Sequence, residues 1–162
     1  MRLRVRGLSE AGKPPRYTVG IGYDELEVGQ ELRTHGITVS ESHIALFAAL
    51  SGDWNVLHVN EEYAKRTIFG TRVAHGLLTL ALMSGPLGMM FSGTAVAFVE
   101  ASVKFKYPVK AGDTIYSVAK VAAKKDLPQY NGGLITLEGK TYNQEDIVVT
   151  EGTFKLIVTN RP

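Results

Sequence analysis

Cysteine is absent from this chain of 162 residues, and its absence removes disulfide frameworks, thiolate nucleophiles and thiolate-bound zinc at once. An excess of charge of either sign is missing too. Lys and Arg total 18 against 16 Asp and Glu, a net charge of +2, and only Arg2, Arg4 and Arg6 stand close together, so nothing points to nucleic acid. No N-terminal apolar run resembles a signal peptide. The most apolar stretch, 76–91, is short for a membrane span and is interrupted by Ser84-Gly85-Pro86. A cytoplasmic protein without membrane contact is therefore expected. Internal repeats, low-complexity segments, glycine-rich phosphate loops and a serine-centred nucleophile elbow are all lacking. What remains, 44% hydrophobic and 21% charged residues, suits one domain large enough to bury a core.

The beginning of the chain alternates Arg2, Leu3, Arg4, Val5 and Arg6 and then passes Gly7, Gly12, Pro14 and Pro15. Residues 1–22 read as an exposed arm, and 23–162 as the single domain. Gly36-Ile37-Thr38-Val39 predicts a short strand leading to a helix that Ser40 caps and Glu41 favours in its first turn. Ile44, Phe47 and Ala48 recur at helical spacing, and Gly52 stands where a left-handed cap is wanted. Beyond a polar turn, Asn60 is placed to cap a second short helix over 61–66, which Gly70 follows.

From Gly76 to Phe91 the sequence is apolar nearly all round, which predicts a buried helix, with Pro86 kinking it or ending its regular part. After Gly93 the period changes to two. Strands are expected over about 96–107, 114–121, 134–142 and 148–158, separated by turn residues at Pro108, Gly112-Asp113, Pro128 and Asn131-Gly132-Gly133. Consecutive long strands with short turns suggest an antiparallel meander. The physical solution is an α+β domain in which one antiparallel sheet wraps around one buried central helix, covering a segment that is apolar on every side.

Chemistry concentrates in 53–58. Asp53, Asn55 and His58 supply a carboxylate, an amide and an imidazole at the end of an ordered helix, on a short segment anchored by Leu57 and Val59. Asp53 and Asn55 are equally good turn formers whose side chains bond their own backbone, and an isolated histidine is commonly a packing residue. His75 reads as structural, and His35 and His43 as surface or packing residues. Asp53, His58, His75 and Glu100 are of ligand type, but their spacing matches no known ligand pattern, so no metal is expected.

Leu50-Ser51-Gly52-Asp53-Trp54-Asn55-Val56-Leu57-His58, followed by Val73-Ala74-His75-Gly76-Leu77-Leu78, resembles the hydratase signature of the MaoC-like, (R)-specific enoyl-CoA hydratases. Val103-Lys104-Phe105-Lys106-Tyr107-Pro108-Val109-Lys110-Ala111-Gly112-Asp113 resembles a strand and turn of the same family. The likeness covers about 26–158. It implies a hot-dog fold and syn addition of water to a trans-2-enoyl-CoA, or the reverse dehydration, giving a (3R)-hydroxyacyl-CoA. Asp53 and His58 are then the catalytic pair. The Gly76 N–H contributes to an oxyanion hole, Asn55 matches the motif asparagine, and Ser84 hydrogen-bonds near the aspartate. The coenzyme A thioester is the substrate, no separate cofactor is implied, and a homodimer or higher homo-oligomer is expected. Val56 departs from the family's usual proline, which bears on the rigidity of the turn. An acyl-CoA thioesterase on the same fold and a non-catalytic acyl-CoA-binding domain are the alternatives.

Overall fold

The computed structural model describes residues 19–161. The greater part of the expected arm lies outside these residues. Of the remainder, Gly20 and Ile21 donate their N–H groups to Ser92 O and Met90 O at 2.7 and 2.8 Å, so the chain is already packed on the domain there.

Strand β1 (Glu31–Arg33) and strand β2 (Ile37–Thr38) lead into helix α1 (Glu41–Ser51). The helix begins and ends as its sequence dictates. Ser40 accepts from the His43 N–H, the His43 ring accepts from the Ser40 N–H at 3.1 Å, and Gly52 takes the left-handed conformation, φ 76°. Two four-residue helices follow, α2 (Val56–Val59) and α3 (Glu61–Ala64), the latter capped by Asn60. The central helix α4 (Gly76–Met90) runs through Pro86 without stopping. Long strands β3 (Ala95–Phe105), β4 (Thr114–Leu127), β5 (Gly132–Tyr142) and β6 (Val148–Thr159) complete the chain.

The sheet corrects the expected meander. Its order is β1-β4-β5-β6-β3, with β2 also on β4. Only β4, β5 and β6 follow one another as neighbours; β3 joins the far edge beside β6, antiparallel, with Phe105 opposite Thr150. The residues between Phe105 and Thr114 cross to the opposite side of the sheet and are too many for a tight hairpin. Their Val109 carbonyl accepts from Ala74 N–H at 2.7 Å just before α4.

Two apolar clusters lie between α4 and the inner sheet face. Leu87 and Phe91 at the C-terminal end of α4 pack with Leu26, Leu32, Val121, Ile135, Leu137 and Leu156. Leu78 and Met83 pack with Val39, Ile44, Ala74, Ile115 and Val149. The helix is not covered on every side, however. Leu77 (62% exposed) and Met89 (70%) are open, as are Ala81, Ser84, Gly85 and Gly88, which lie mostly three or four residues apart and so share one face. Strand β3 is comparably bare: Val96, Phe98, Val99 and Phe105 are each about half exposed. Among the described residues no helix is long and apolar enough to cross a membrane.

Before β1, the Tyr23 hydroxyl donates to Asp126 at 2.6 Å, and Lys124 Nζ lies 4.2 Å over the Tyr23 ring while bonding the carbonyls of Tyr23 and Leu26. Burial, then the Asp126 carboxylate, pushes the Tyr23 phenol up from 10.0 to about 12. Because folding raises this pKa, the stability linked to it is complete below pH 10.0 and is lost as the pH rises toward 12. Tyr23→Phe is expected to flatten that alkaline loss while lowering stability at neutral pH by about 1 kcal/mol, as read from chemical denaturation across the pH range.

Candidate active site

Local hydrogen bonds dictate the course of 51–58. Ser51 Oγ donates to Phe47 O and accepts from Asp53 N–H, turning the chain after Gly52. Asp53 Oδ1 accepts from Asn55 N–H at 3.2 Å, and Asn55 Oδ1 accepts from Leu57 N–H at 3.0 Å, which makes Asn55 the cap of α2. Asp53 and Asn55 thus stand on the expected polar turn, whereas His58 lies on the short helix α2 that follows it. Asn55 serves it by placing α2, and α2 aims His58. Val56 occupies the first helical position, where the N–H freed by losing proline has no intrahelical partner to find.

The His58 ring is fixed by one short bond, its Nδ1 lying 2.7 Å from Val73 O. A carbonyl only accepts, so Nδ1 carries the proton and the lone pair is on Nε2. His75 is 2% exposed and its Nε2 lies 3.0 Å from the backbone carbonyl of Asp53. By the same reasoning its Nε2 is the protonated nitrogen, and Nδ1 is a buried atom without a partner among the described residues. The two imidazoles stack at 3.8 Å with 30° between their planes, and Phe47 lies 5.0 Å beyond His75.

Donor atoms of Asp53, His58 and His75 fall within 4.8 Å of one another. Two groups each about 2.8 Å from one water oxygen are at most about 5.6 Å apart, so the Asp53 carboxylate and His58 lie within reach of a common water. Asp53 is exposed and His58 half-buried. The trio is poorly disposed for a metal. Stacked rings set their in-plane lone pairs side by side and not convergent, and His58 Nδ1 is already committed to Val73.

Gly76 is the first residue of α4, directly after His75, which caps the helix. Its N–H finds no protein acceptor among the described residues, as expected at a helix N-terminus. A Cβ at this position would come within 3.1 to 3.2 Å of the Phe105 ring. Gly76 also lines a cleft of about 300 Å³ with Val73, Thr79, Phe105, Tyr107 and Thr150. Arg72 holds the approach to this segment by bonding Glu41 at the start of α1 (2.9 Å) and Glu61 of α3 (3.0 Å). The Arg72 hydrogen bond holds the Glu61 carboxyl below the usual carboxylate range.

Ser84 does not join this group within the chain. Eight residues beyond Gly76 on a helix place it about 12 Å along the axis, and its hydroxyl donates to Ala81 O at 2.9 Å. It lines instead a separate chamber of about 380 Å³ between α4 and the sheet, with Met83, Leu87, Ala119, Phe154 and Leu156. His75, read as structural from the sequence, is buried. Its ring touches His58 and the Asp53 peptide from 22 residues away, a relation that no local pattern announces.

The chain matches the MaoC like domain family over residues 25–142. An (R)-specific enoyl-CoA hydratase of Rhodospirillum rubrum is 43% identical over 99 residues, 61% of this chain and 68% of that protein. One of Aeromonas caviae is 34% identical over 128 residues, 78% of this chain and 91% of the relative. The solved R-hydratase PhaJ1 of Pseudomonas aeruginosa, in the unliganded form, superposes with a TM-score of 0.75 at 32% identity, covering 88% of each chain.

Two outcomes test the local geometry. Imidazole NMR on nitrogen-labelled protein is expected to show His58 with its proton on Nδ1 and His75 with its proton on Nε2. Asn55→Ala is expected to cost about 1 kcal/mol in a urea melt through loss of the α2 cap. The family match over residues 25–142 and the Aeromonas caviae relative, 34% identical and 91% covered, make this chain, with its hot-dog fold, a member of the MaoC-like domain family.

Proposed function

We propose that this protein is an (R)-specific enoyl-CoA hydratase, and in reverse a 3-hydroxyacyl-CoA dehydratase. The observation that carries the reading is the pair formed by Asp53 and His58, a carboxylate oxygen and a ring nitrogen of which lie within 4.8 Å of each other beside the N-terminus of α4, with His58 Nδ1 held by Val73 O. One proton of a water held by both passes to the pair as the water oxygen bonds C3 of the enoyl thioester, and one proton passes from the pair to C2, so the pair ends with the protons it began with. Delivery from one side of the double bond makes the addition syn. Positioned proton transfers of this kind contribute ~10²–10⁴-fold each.

As C3 is attacked, negative charge gathers on the thioester oxygen. The Gly76 N–H and the positive end of α4 are suited to receive it, and the missing side chain lets the thioester approach beneath Phe105. No electrons are exchanged, so the reaction calls for no redox cofactor. The apolar tail of the acyl group takes the chamber between α4 and the sheet. Thr150 lines both that chamber and the Gly76 cleft, marking where they adjoin.

Asp53→Asn and His58→Ala are each expected to lower kcat for crotonyl-CoA hydration by ~10²–10⁴-fold, followed as loss of the conjugated thioester absorbance, with the melting temperature little changed. Release of free thiol in place of hydration would identify a thioesterase. Unimpaired ligand binding with no turnover by the wild type would identify a binding domain.

The working unit in this proposal is a homodimer. Among the described residues the outer edge of β3 pairs with no strand, and Ala95 to Phe98 line the chamber together with Ser84 and Gly88 of α4. An unpaired apolar edge strand is a template for another strand, and a second copy placed there walls the chamber. Phe98→Glu is expected to shift the sedimentation of the protein toward monomer and to reduce hydration in parallel.

A further inference from the structure

The chamber owes its existence to two positions on the inner sheet face. Ala119 of β4 and Gly139 of β5 stand opposite each other in register, between Leu32 of β1 and Gly152 of β6. Toward one end of the sheet the next inward-facing residues are Val121 and Leu137, both fully buried. Toward the other they are Ser117 and Thr141, with Thr34 and Thr150 beside them, and the Ser117 and Thr141 hydroxyls lie 2.8 Å apart. A row of hydroxyls and a row of large apolar groups therefore flank a row with almost no side chains. From Thr141 to Leu137 is four residues, ~13 Å along a strand. Leu80, Met83 and Leu87 of α4 form the opposite wall.

Phe154 closes the hollow from the side. A Cβ at Gly139 would stand 3.1 Å from its ring edge, with Ala119 Cβ at 3.8 Å. Larger side chains at either position would occupy the hollow or push the Phe154 ring across it. The hydroxyl row, through Thr150, lies on the side of the Gly76 cleft, and the apolar end lies away from it.

We propose that Ala119 and Gly139 are specificity-determining residues that set the reach of the acyl chain and admit tails several methylenes longer than the crotonyl group, of the hexenoyl to octenoyl class. The proposal rests on the hydratase reading, because it assigns the tail of that substrate to this hollow. The hydroxyl row faces the thioester end of the tail, and the tail passes between Ala119, Gly139 and Phe154 to end against Leu32, Leu87 and Leu156.

The test is a panel of crotonyl-, hexenoyl- and octenoyl-CoA with wild type, Gly139→Val and Ala119→Leu, scored as the ratio of kcat/KM for octenoyl- to crotonyl-CoA. Each methylene denied burial costs about fourfold, so excluding the four that distinguish these substrates should lower the ratio by ~10²-fold. Hexenoyl-CoA should fall between. Should Gly139→Val not fold, Ala119→Leu and the milder Gly139→Ala decide the matter, with melting curves confirming that they are folded. A ratio unchanged in folded variants overturns the proposal, as does a wild type that hydrates crotonyl-CoA but neither longer substrate; both leave the hydratase reading standing. A wild type that hydrates none of the three overturns both.

Discussion

The hydrogen bond from His58 Nδ1 to the Val73 carbonyl is the contact on which the remainder of the site depends. It selects one tautomer of an imidazole that would otherwise sample two, and it does so with a backbone atom that no side-chain substitution removes. Much of the nearby structure serves to hold that carbonyl. Ala74 is tied to Val109 beyond β3, Arg72 is tied to α1 and α3, and His75 begins the central helix. On the other side, the Asn55 cap makes the two turns of chain after Gly52 rigid enough for His58 to meet it. A side chain aligned from two independent directions keeps its geometry.

The features that could be read in the sequence are those controlled by neighbours along the chain. Ser40 and Gly52 bounded α1 because capping is a matter of three or four residues, and Asn60 started α3 for the same reason. The central helix showed in its largely apolar composition, and the strands in their alternation. The order of those strands was not readable. Whether β3 lies beside β4 or beside β6 depends on the path of 106–113 across the sheet, and alternation reports a strand's faces without naming its neighbours.

The candidate site divides in the same way. Asp53, Asn55 and His58 are close in sequence and came together as one group, whereas His75 acquires its place through a contact across 22 residues. The turn-forming reading of Asp53 and Asn55 was also correct as far as it went: both side chains bond backbone N–H groups two residues on. The Asp53 carboxylate retains further acceptor capacity beyond that bond, so one residue can shape the turn and still present an oxygen to solvent. Ser84 stands apart from this group within the chain, since the rise of α4 carries it away from Gly76 and its hydroxyl bonds Ala81 O.

The chamber of about 380 Å³ between α4 and the sheet leaves part of the interior open to an occupant. Cores are normally filled to crystal-like density, and an occupant that fits only the folded chain adds RT ln(1 + [L]/Kd) to its stability. A ligand that binds this chamber therefore also raises the heat tolerance of the chain and its resistance to proteolysis.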